Sequence, residues 1–85
     1  RAERLGALSR LAEAGRLVEA LGGFARLVSE DPNDRRALLG AAHCALALGR
    51  DDLARPLLER LARIDPNDTA ARAALEALAG APAEV

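Results

Sequence analysis

The sequence predicts an all-α protein built from antiparallel helix-turn-helix repeats. The first observation is a tetrapeptide, Asp-Pro-Asn-Asp, which occupies residues 31–34 and again residues 65–68, an offset of 34 residues. A fixed period between about 20 and 50 residues is typical of stacked repeat architectures. The second observation is composition. The 21 Ala and 16 Leu, together with Arg and Glu, favour helices, whereas Val, Ile and Thr, which favour strands, are scarce.

A third observation is that residues 1–34 align with residues 35–68 at 13 identical positions. Besides the turn residues, these include Leu5/Leu39, Gly6/Gly40, Gly15/Gly49, Ala20/Ala54 and Leu27/Leu61. The alignment predicts two equivalent units, residues 1–34 and 35–68, and the chain continues with a further helix within residues 69–80 and a flexible tail at residues 81–85.

Apolar residues at helical spacing predict five helices. Their expected bounds are 2–14, 17–29, 35–48, 52–64 and 70–79. Gly15 and Gly49 each follow the first helix of a unit, where glycine commonly ends a helix. Each Asp-Pro step ends a second helix, because the residue before Pro is pushed out of the α region. Asp34 is expected to cap the third helix, and Asp68 or Thr69 the fifth.

Two features inside the second helices need a structural explanation. Pro56 is expected near the first turn of its helix, where a missing N–H costs least. Gly22 and Gly23 each cost roughly 0.5–1 kcal/mol relative to Ala inside a helix. The pair therefore predicts either a local bend or another helix that lies very close, with close packing favoured over a notch for a partner.

The charges argue against a nucleic-acid partner. Twelve Arg and thirteen Asp and Glu give a net charge of −1, and the chain has no Lys. The two signs are interleaved, and Phe24 is the only Phe, Tyr or Trp, so neither a basic stripe for phosphates nor a stacking platform is present. Opposite charges at helical spacing predict ion pairs along the exposed faces: Arg26/Glu30, Arg55/Glu59, Glu59/Arg63 and Arg72/Glu76.

No apolar run approaches the length of a membrane span, so membrane insertion is not expected. No signal peptide is visible either. The chain contains no Met and begins at Arg1, and we expect it to be a piece of a longer protein. Arg without Lys, beside abundant Ala and Gly, is typical of a GC-rich coding genome and indicates a bacterial source.

A helix pair of 34 residues that ends in Asp-Pro-Asn resembles the tetratricopeptide repeat. The matching positions are Gly15/Gly49, Ala20/Ala54, Phe24/Leu58 and Pro32/Pro66. Leu27 and Leu61 depart from the family, which has a small residue there, and this predicts altered helix packing angles. The resemblance implies a right-handed α-solenoid fragment with two repeats and a capping helix, and a function in protein–protein interaction.

The resemblance also implies where a partner binds, because first helices of successive repeats line a concave groove in this family. The corresponding residues are Leu5, Ser9, Ala12, Arg36, Leu39, Gly40, His43 and Leu46. This surface is small and apolar, with Arg36, His43 and Glu13 as its polar points. Gly6, Gly40 and Ala74 share one repeat position and give a floor without bulk, which favours close approach of a helix or an extended peptide.

One known use of this groove is not expected. Family members that hold the C-terminal carboxylate of heat-shock chaperones do so with Lys, Arg and Asn. The corresponding residues here are Leu5, Ser9, Gly40, Ala70 and Ala74, none of which can clamp a carboxylate.

No catalytic or metal-binding pattern is present, and we expect neither enzyme activity nor a cofactor. His43 and Cys44 are neighbours, so their side chains diverge by about 100° on a helix and do not form a nucleophile–base pair. One Cys and one His are too few for a zinc site. Cys44 is expected to be a buried, inert thiol.

The leading interpretation is therefore a protein-interaction scaffold that binds a peptide or helix. One alternative is a homo-oligomerisation module, because two repeats fall short of the roughly three that such stacks need, and Leu8 and Leu11 have no preceding repeat to cover them. Another is the accessory repeat tail of a larger enzyme or co-chaperone, which the resemblance implies through the repeat tails that follow thioredoxin-like domains.

Overall fold

The computed structural model describes the backbone of residues 2–80 and the side chains of residues 4–78. It contains five α-helices: Ala2–Glu13 (α1), Leu17–Glu30 (α2), Arg35–Ala47 (α3), Asp51–Ile64 (α4) and Thr69–Gly80 (α5). No strand occurs in this part of the chain, and the all-α prediction is confirmed. The predicted bounds differ from the observed ones by at most one residue at each end, where helices fray. The predicted tail at residues 81–85 lies outside the described residues.

The turn inside each helix pair is closed by a glycine. Gly15 has a φ of +86° and Gly49 a φ of +75°, the left-handed conformation that side chains disfavour. This turn lets the N–H of Arg16 donate to the carbonyl of Leu11 at 2.9 Å. The N–H of Arg50 donates in the same way to Ala45 at 2.8 Å. Both pairs therefore end their first helix with the same hydrogen-bonded motif.

The two aspartates of the first Asp-Pro-Asn-Asp turn form different hydrogen bonds. The N–H of Asp34 donates to the carbonyl of Asp31 at 3.0 Å, which closes a four-residue turn with Pro32 at the position that proline favours. The carboxylate of Asp31 accepts the N–H of Asn33 at 3.1 Å. The carboxylate of Asp34 accepts the N–H of Ala37 at 3.2 Å and so caps α3.

The second copy of this turn repeats the same bonds. The carboxylate of Asp65 accepts the N–H of Asn67 at 3.1 Å, and that of Asp68 accepts the N–H of Ala71 at 3.1 Å. Asp68, rather than Thr69, therefore caps α5. Short turns of this kind fold consecutive helices back against each other, so the chain runs as two antiparallel helix pairs and one further helix.

The core is centred on α3, which packs against α2 on one side and α4 on the other. One cluster joins α3, α4 and α5 and contains Leu38, Ala42, Ala45, Ala54, Leu58, Leu61, Ala71 and Leu78. A smaller cluster joins α2 and α3 and contains Ala20, Phe24, Ala41 and Cys44. The leucines that stand where the family has a small residue, Leu27 and Leu61, are both fully buried and fill the core.

Pro56 lies deeper in its helix than the sequence predicts. It is the sixth residue of α4, beyond the first turn. The carbonyl of Asp52, four residues earlier, therefore has no backbone N–H from position 56 to accept, and the proline carries a cost that the expected position would have avoided.

The two neighbouring glycines of α2 have different surroundings. A Cβ added at Gly23 would collide with the side chain of Leu8 on α1, whereas one added at Gly22 would meet nothing within 4 Å. The predicted close approach of another helix is thus confirmed at Gly23. Gly22 is exposed, and nothing in the structure explains a glycine there.

Ion pairs between different elements occur alongside pairs at the start of a single helix. Glu30 contacts Arg4 of α1 at 3.3 Å and not Arg26, its predicted partner. Arg35 contacts Asp65 at 3.1 Å. Within the described residues none of the four predicted pairs forms, and each would be worth only about 0.2–0.5 kcal/mol.

Candidate functional site

A groove runs between α1 and α3, which are parallel because each is the first helix of its pair. Its larger section has a volume of about 400 Å³, and an adjoining section has about 200 Å³. We call this surface the α1/α3 groove. It is lined by Leu5, Gly6, Ser9, Ala12, Glu13, Phe24, Arg36, Leu39, Gly40, His43 and Cys44.

The structure brings seven of the eight predicted partner-binding residues to this groove. Leu46 is the exception: it is half-buried and packs against the core cluster that α3 shares with α4 and α5. The reason is its place in the repeat. Leu46 corresponds to Ala12, and a residue at this position lies on the side of its helix that faces the first helix of the following unit, which is α3 for Ala12 and α5 for Leu46. That the other seven bind a partner stays a prediction.

The floor of the groove is a ring packed on a glycine. Phe24 reaches the groove from α2 and is only 3% exposed. A Cβ added at Gly40 would overlap this ring, since Cζ of Phe24 would lie 2.5 Å from it. Sequence reasoning identified Gly40 but missed Phe24. The available signal was that Phe24, the only large aromatic side chain, is replaced by Leu58 in the second repeat.

Charged groups stand at opposite ends of the groove. Arg36 lies in the first turn of α3 and Glu13 is the last residue of α1, and both are exposed. Eleven helical positions separate Glu13 from the position in α1 that corresponds to Arg36, which is about 16 Å along the helix axis. Among the described residues, neither side chain forms an ion pair.

The thiol that lines the groove is buried. Cys44 is 1% exposed, and burial raises the pKa of its thiol, so the thiolate that would act as a nucleophile is disfavoured. The adjacent His43 is exposed. Within residues 4–78, no group of three or more His, Cys, Asp and Glu side chains is placed to hold a metal ion.

A second cavity, of about 440 Å³, opens between α1 and α2 on the side away from α3. We call it the α1/α2 cleft. It is lined by Arg4, Ala7, Leu8, Val18, Glu19, Gly22, Gly23 and Arg26. The equivalent cleft of the second pair is lined by Ala41, Leu53, Pro56 and Leu57, but there α2 covers it with Leu21, Ala25 and Val28. The α1/α2 cleft is therefore the surface on which a neighbouring helix packs in this architecture, whereas the α1/α3 groove stays open to solvent.

Each helix that the structure describes is too short or too polar to cross a bilayer.

The comparisons with known proteins agree with this geometry. The family model described as tetratricopeptide repeat matches residues 11–78, which run from the last turn of α1 to the end of the buried part of α5. No curated protein and no solved structure matched the chain. Repeats of this family generally mediate protein–protein interaction and are typically not catalytic. The match covers well over half of the sequence, including all of α2, α3 and α4, and so the chain belongs to the tetratricopeptide repeat family.

Proposed function

We propose that this protein is an interaction scaffold whose α1/α3 groove binds a short peptide segment of a partner protein. The observation that supports it most directly is the open groove itself, with a recessed floor at Phe24 and Gly40. Its volume of about 400 Å³ lies within the range of about 300–1,000 Å³ that is usual for binding sites.

The chemistry of the groove is suited to binding and not to catalysis. Leu5 and Leu39 are half-buried on the two walls, so part of each side chain remains in contact with water. A bound apolar side chain would cover this remaining apolar surface, which favours binding. Ser9 and His43 face each other across the groove and offer hydrogen bonds to a peptide backbone. An apolar surface with a few polar groups that fix orientation is typical of peptide-recognition grooves.

The proposal is tested by selecting binders from a displayed library of random decapeptides and mapping one synthetic binder by NMR. We expect amide shifts to concentrate on Ser9, Gly40 and His43. His43→Glu, which places a charge beside the floor without touching the core, should weaken binding at least ten-fold. Val18→Glu, a change at another exposed position, in the α1/α2 cleft, is the matched control and should have no effect.

One outcome of the same experiment would contradict the proposal. If the selected peptide shifts the amides around Gly22 and Leu53 and binds His43→Glu as well as the unaltered protein, the groove is not the binding surface. Circular dichroism of both variants should remain that of the unaltered protein, because both replaced side chains are exposed.

Self-association is a second candidate, favoured by the α1/α2 cleft. Val18 is 71% exposed at its rim, and Leu8 and Gly23 meet inside it. A second copy that packs on this cleft would cover apolar surface. Light scattering over a dilution series tests the idea: a dimer that Val18→Glu dissociates would support it, and a monomer at every micromolar concentration would refute it.

A further inference from the structure

We infer that the α1/α3 groove selects an extended peptide of fixed charge order, with an acidic residue at the Arg36 end, apolar residues in the middle and a basic residue at the Glu13 end. This inference rests on the proposed function and specifies the chemistry and the orientation of the bound segment.

The cationic end is defined by Arg36. The carboxylates near it are engaged elsewhere: Asp34 caps α3, and Asp68 caps α5 and also lies 3.8 Å from Arg35. The guanidinium of Arg36 forms no ion pair among the described residues, and a carboxylate of a bound peptide fits beside it.

The anionic end is defined by Glu13. As the last residue of α1 it stands at the negative end of the helix dipole, where a carboxylate is disfavoured. A basic residue of a bound peptide would offset both charges.

The dimensions set the length of the extended segment. About 16 Å separates the two charged ends, a span that roughly five extended residues cover. The floor at Phe24 and Gly40, between Leu5 and Leu39, then receives one apolar side chain from the middle of the peptide.

The first test uses three capped pentapeptides that share an Ala-Leu-Ala centre. One has Asp and Lys at its two ends, one has Asp at both ends, and one has Lys at both ends. NMR titration should show the mixed peptide binding about five-fold more tightly than either control, because an exposed ion pair contributes up to about this factor. The preference should shrink at high salt. Equal affinity of the three peptides would overturn the inference.

The second test measures orientation with a nitroxide label attached beside the Asp end of the mixed peptide. The label should broaden the amide signals of Leu5 and Leu39 more than those of Ala12 and Ala47. In the charge-exchanged double variant Glu13→Arg, Arg36→Glu, the broadening should move to Ala12 and Ala47. The exposed change Arg55→Glu on α4 is the matched control and should leave the pattern unaltered.

The outcomes separate the two ideas. Broadening within the groove that ignores the charge exchange refutes the charge order but leaves the proposed function standing. No broadening of any groove residue refutes the charge order, and the peptides selected from the random library then decide the proposed function. If the double variant fails to fold, the affinities of the three peptides for the unaltered protein still decide the inference.

Discussion

Gly40 and Phe24 show how one missing methyl group shapes the surface of this protein. The ring of Phe24 lies against the backbone of α3 where any side chain at position 40 would stand. Phe24 is also part of the buried cluster that holds α2 on α3. The same contact therefore sets the depth of the groove and secures a helix interface.

This contact gives opposite predictions for two glycine-to-alanine changes. Gly40→Ala forces Phe24 to move within a packed core and should destabilise the protein by about 1–3 kcal/mol. Gly22→Ala meets open space in a helix and should stabilise it by about 0.5–1 kcal/mol. Urea unfolding of both variants measures the difference. A stabilising Gly40→Ala would mean that the ring does not occupy that space.

Cys44 should make the stability of the protein depend on pH in the alkaline range. The chain has no Lys and no Tyr, so Cys44 is the only side chain that titrates between about pH 8 and 11. Burial raises the pKa of the Cys44 thiol, so the unfolded chain loses its proton first as the pH rises. Stability is therefore intact below the thiol's ordinary pKa and falls above it, by up to about 1.4 kcal/mol per pH unit, until the folded thiol also ionises.

Urea unfolding of the unaltered protein and of Cys44→Ala at pH 7, 9 and 10 measures this effect. The variant should lose stability at every pH because of the lost packing, but its stability should change little over this range. A parallel decline in both proteins would show that Cys44 is not the cause.

At the scale of elements, the Asp-Pro-Asn-Asp turn ends one helix and starts the next with a single set of side chains. Its two aspartates accept different N–H groups, one within the turn and one in the first turn of the following helix. Because both copies form the same bonds at nearly the same distances, the chain passes from one helix to the next through the same local geometry in both turns.

Asp68 allows the cap to be tested at the terminal helix, α5. Asp68→Ala removes the acceptor of the Ala71 N–H and should cost about 1 kcal/mol. Asp68→Asn retains a capping oxygen and should cost much less, since it loses only the charge near Arg35. Thermal unfolding by circular dichroism distinguishes the two variants. An equal loss in both would assign the stability to the charge and not to the cap.

At the scale of the whole molecule, burial is distributed unevenly. α3 contributes six fully buried residues, whereas none of the described side chains of α1 is buried. α1 is held by half-buried leucines on the smaller cluster and by the ion pair between Arg4 and Glu30. Exposed ion pairs add little, so the free energy of local opening should be lowest at α1.

Native-state hydrogen exchange measures this gradient. Amides of α3 and α4 should exchange slowest, at the rate of global unfolding, and those of α1 should exchange fastest among the helices. A peptide bound in the α1/α3 groove should slow exchange in α1 most, because it adds contacts to the least stable element. Uniform protection across the five helices would contradict this.

The sequence predicted most of the architecture because its signals are local. The glycines at positive φ, the Asp-Pro steps and the apolar spacing each act within a few residues, and the 34-residue offset repeats them. What it did not predict depends on neighbours that are distant in sequence. The ring of Phe24 beneath Gly40, Leu46 packed in the core and Glu30 paired with Arg4 are set by how helices pack, which no local pattern encodes.

The bond from Nε of Arg60 to the carbonyl of Pro32, at 2.8 Å, links the second pair to the turn that precedes it. The equivalent guanidinium in the first pair belongs to Arg26, which lines the α1/α2 cleft. A copy of residues 1–34 fused in front of the chain would thus present its own proline carbonyl to Arg26. The array can in this way be lengthened one unit at a time, with the same bond from an arginine to the preceding proline carbonyl at each new joint.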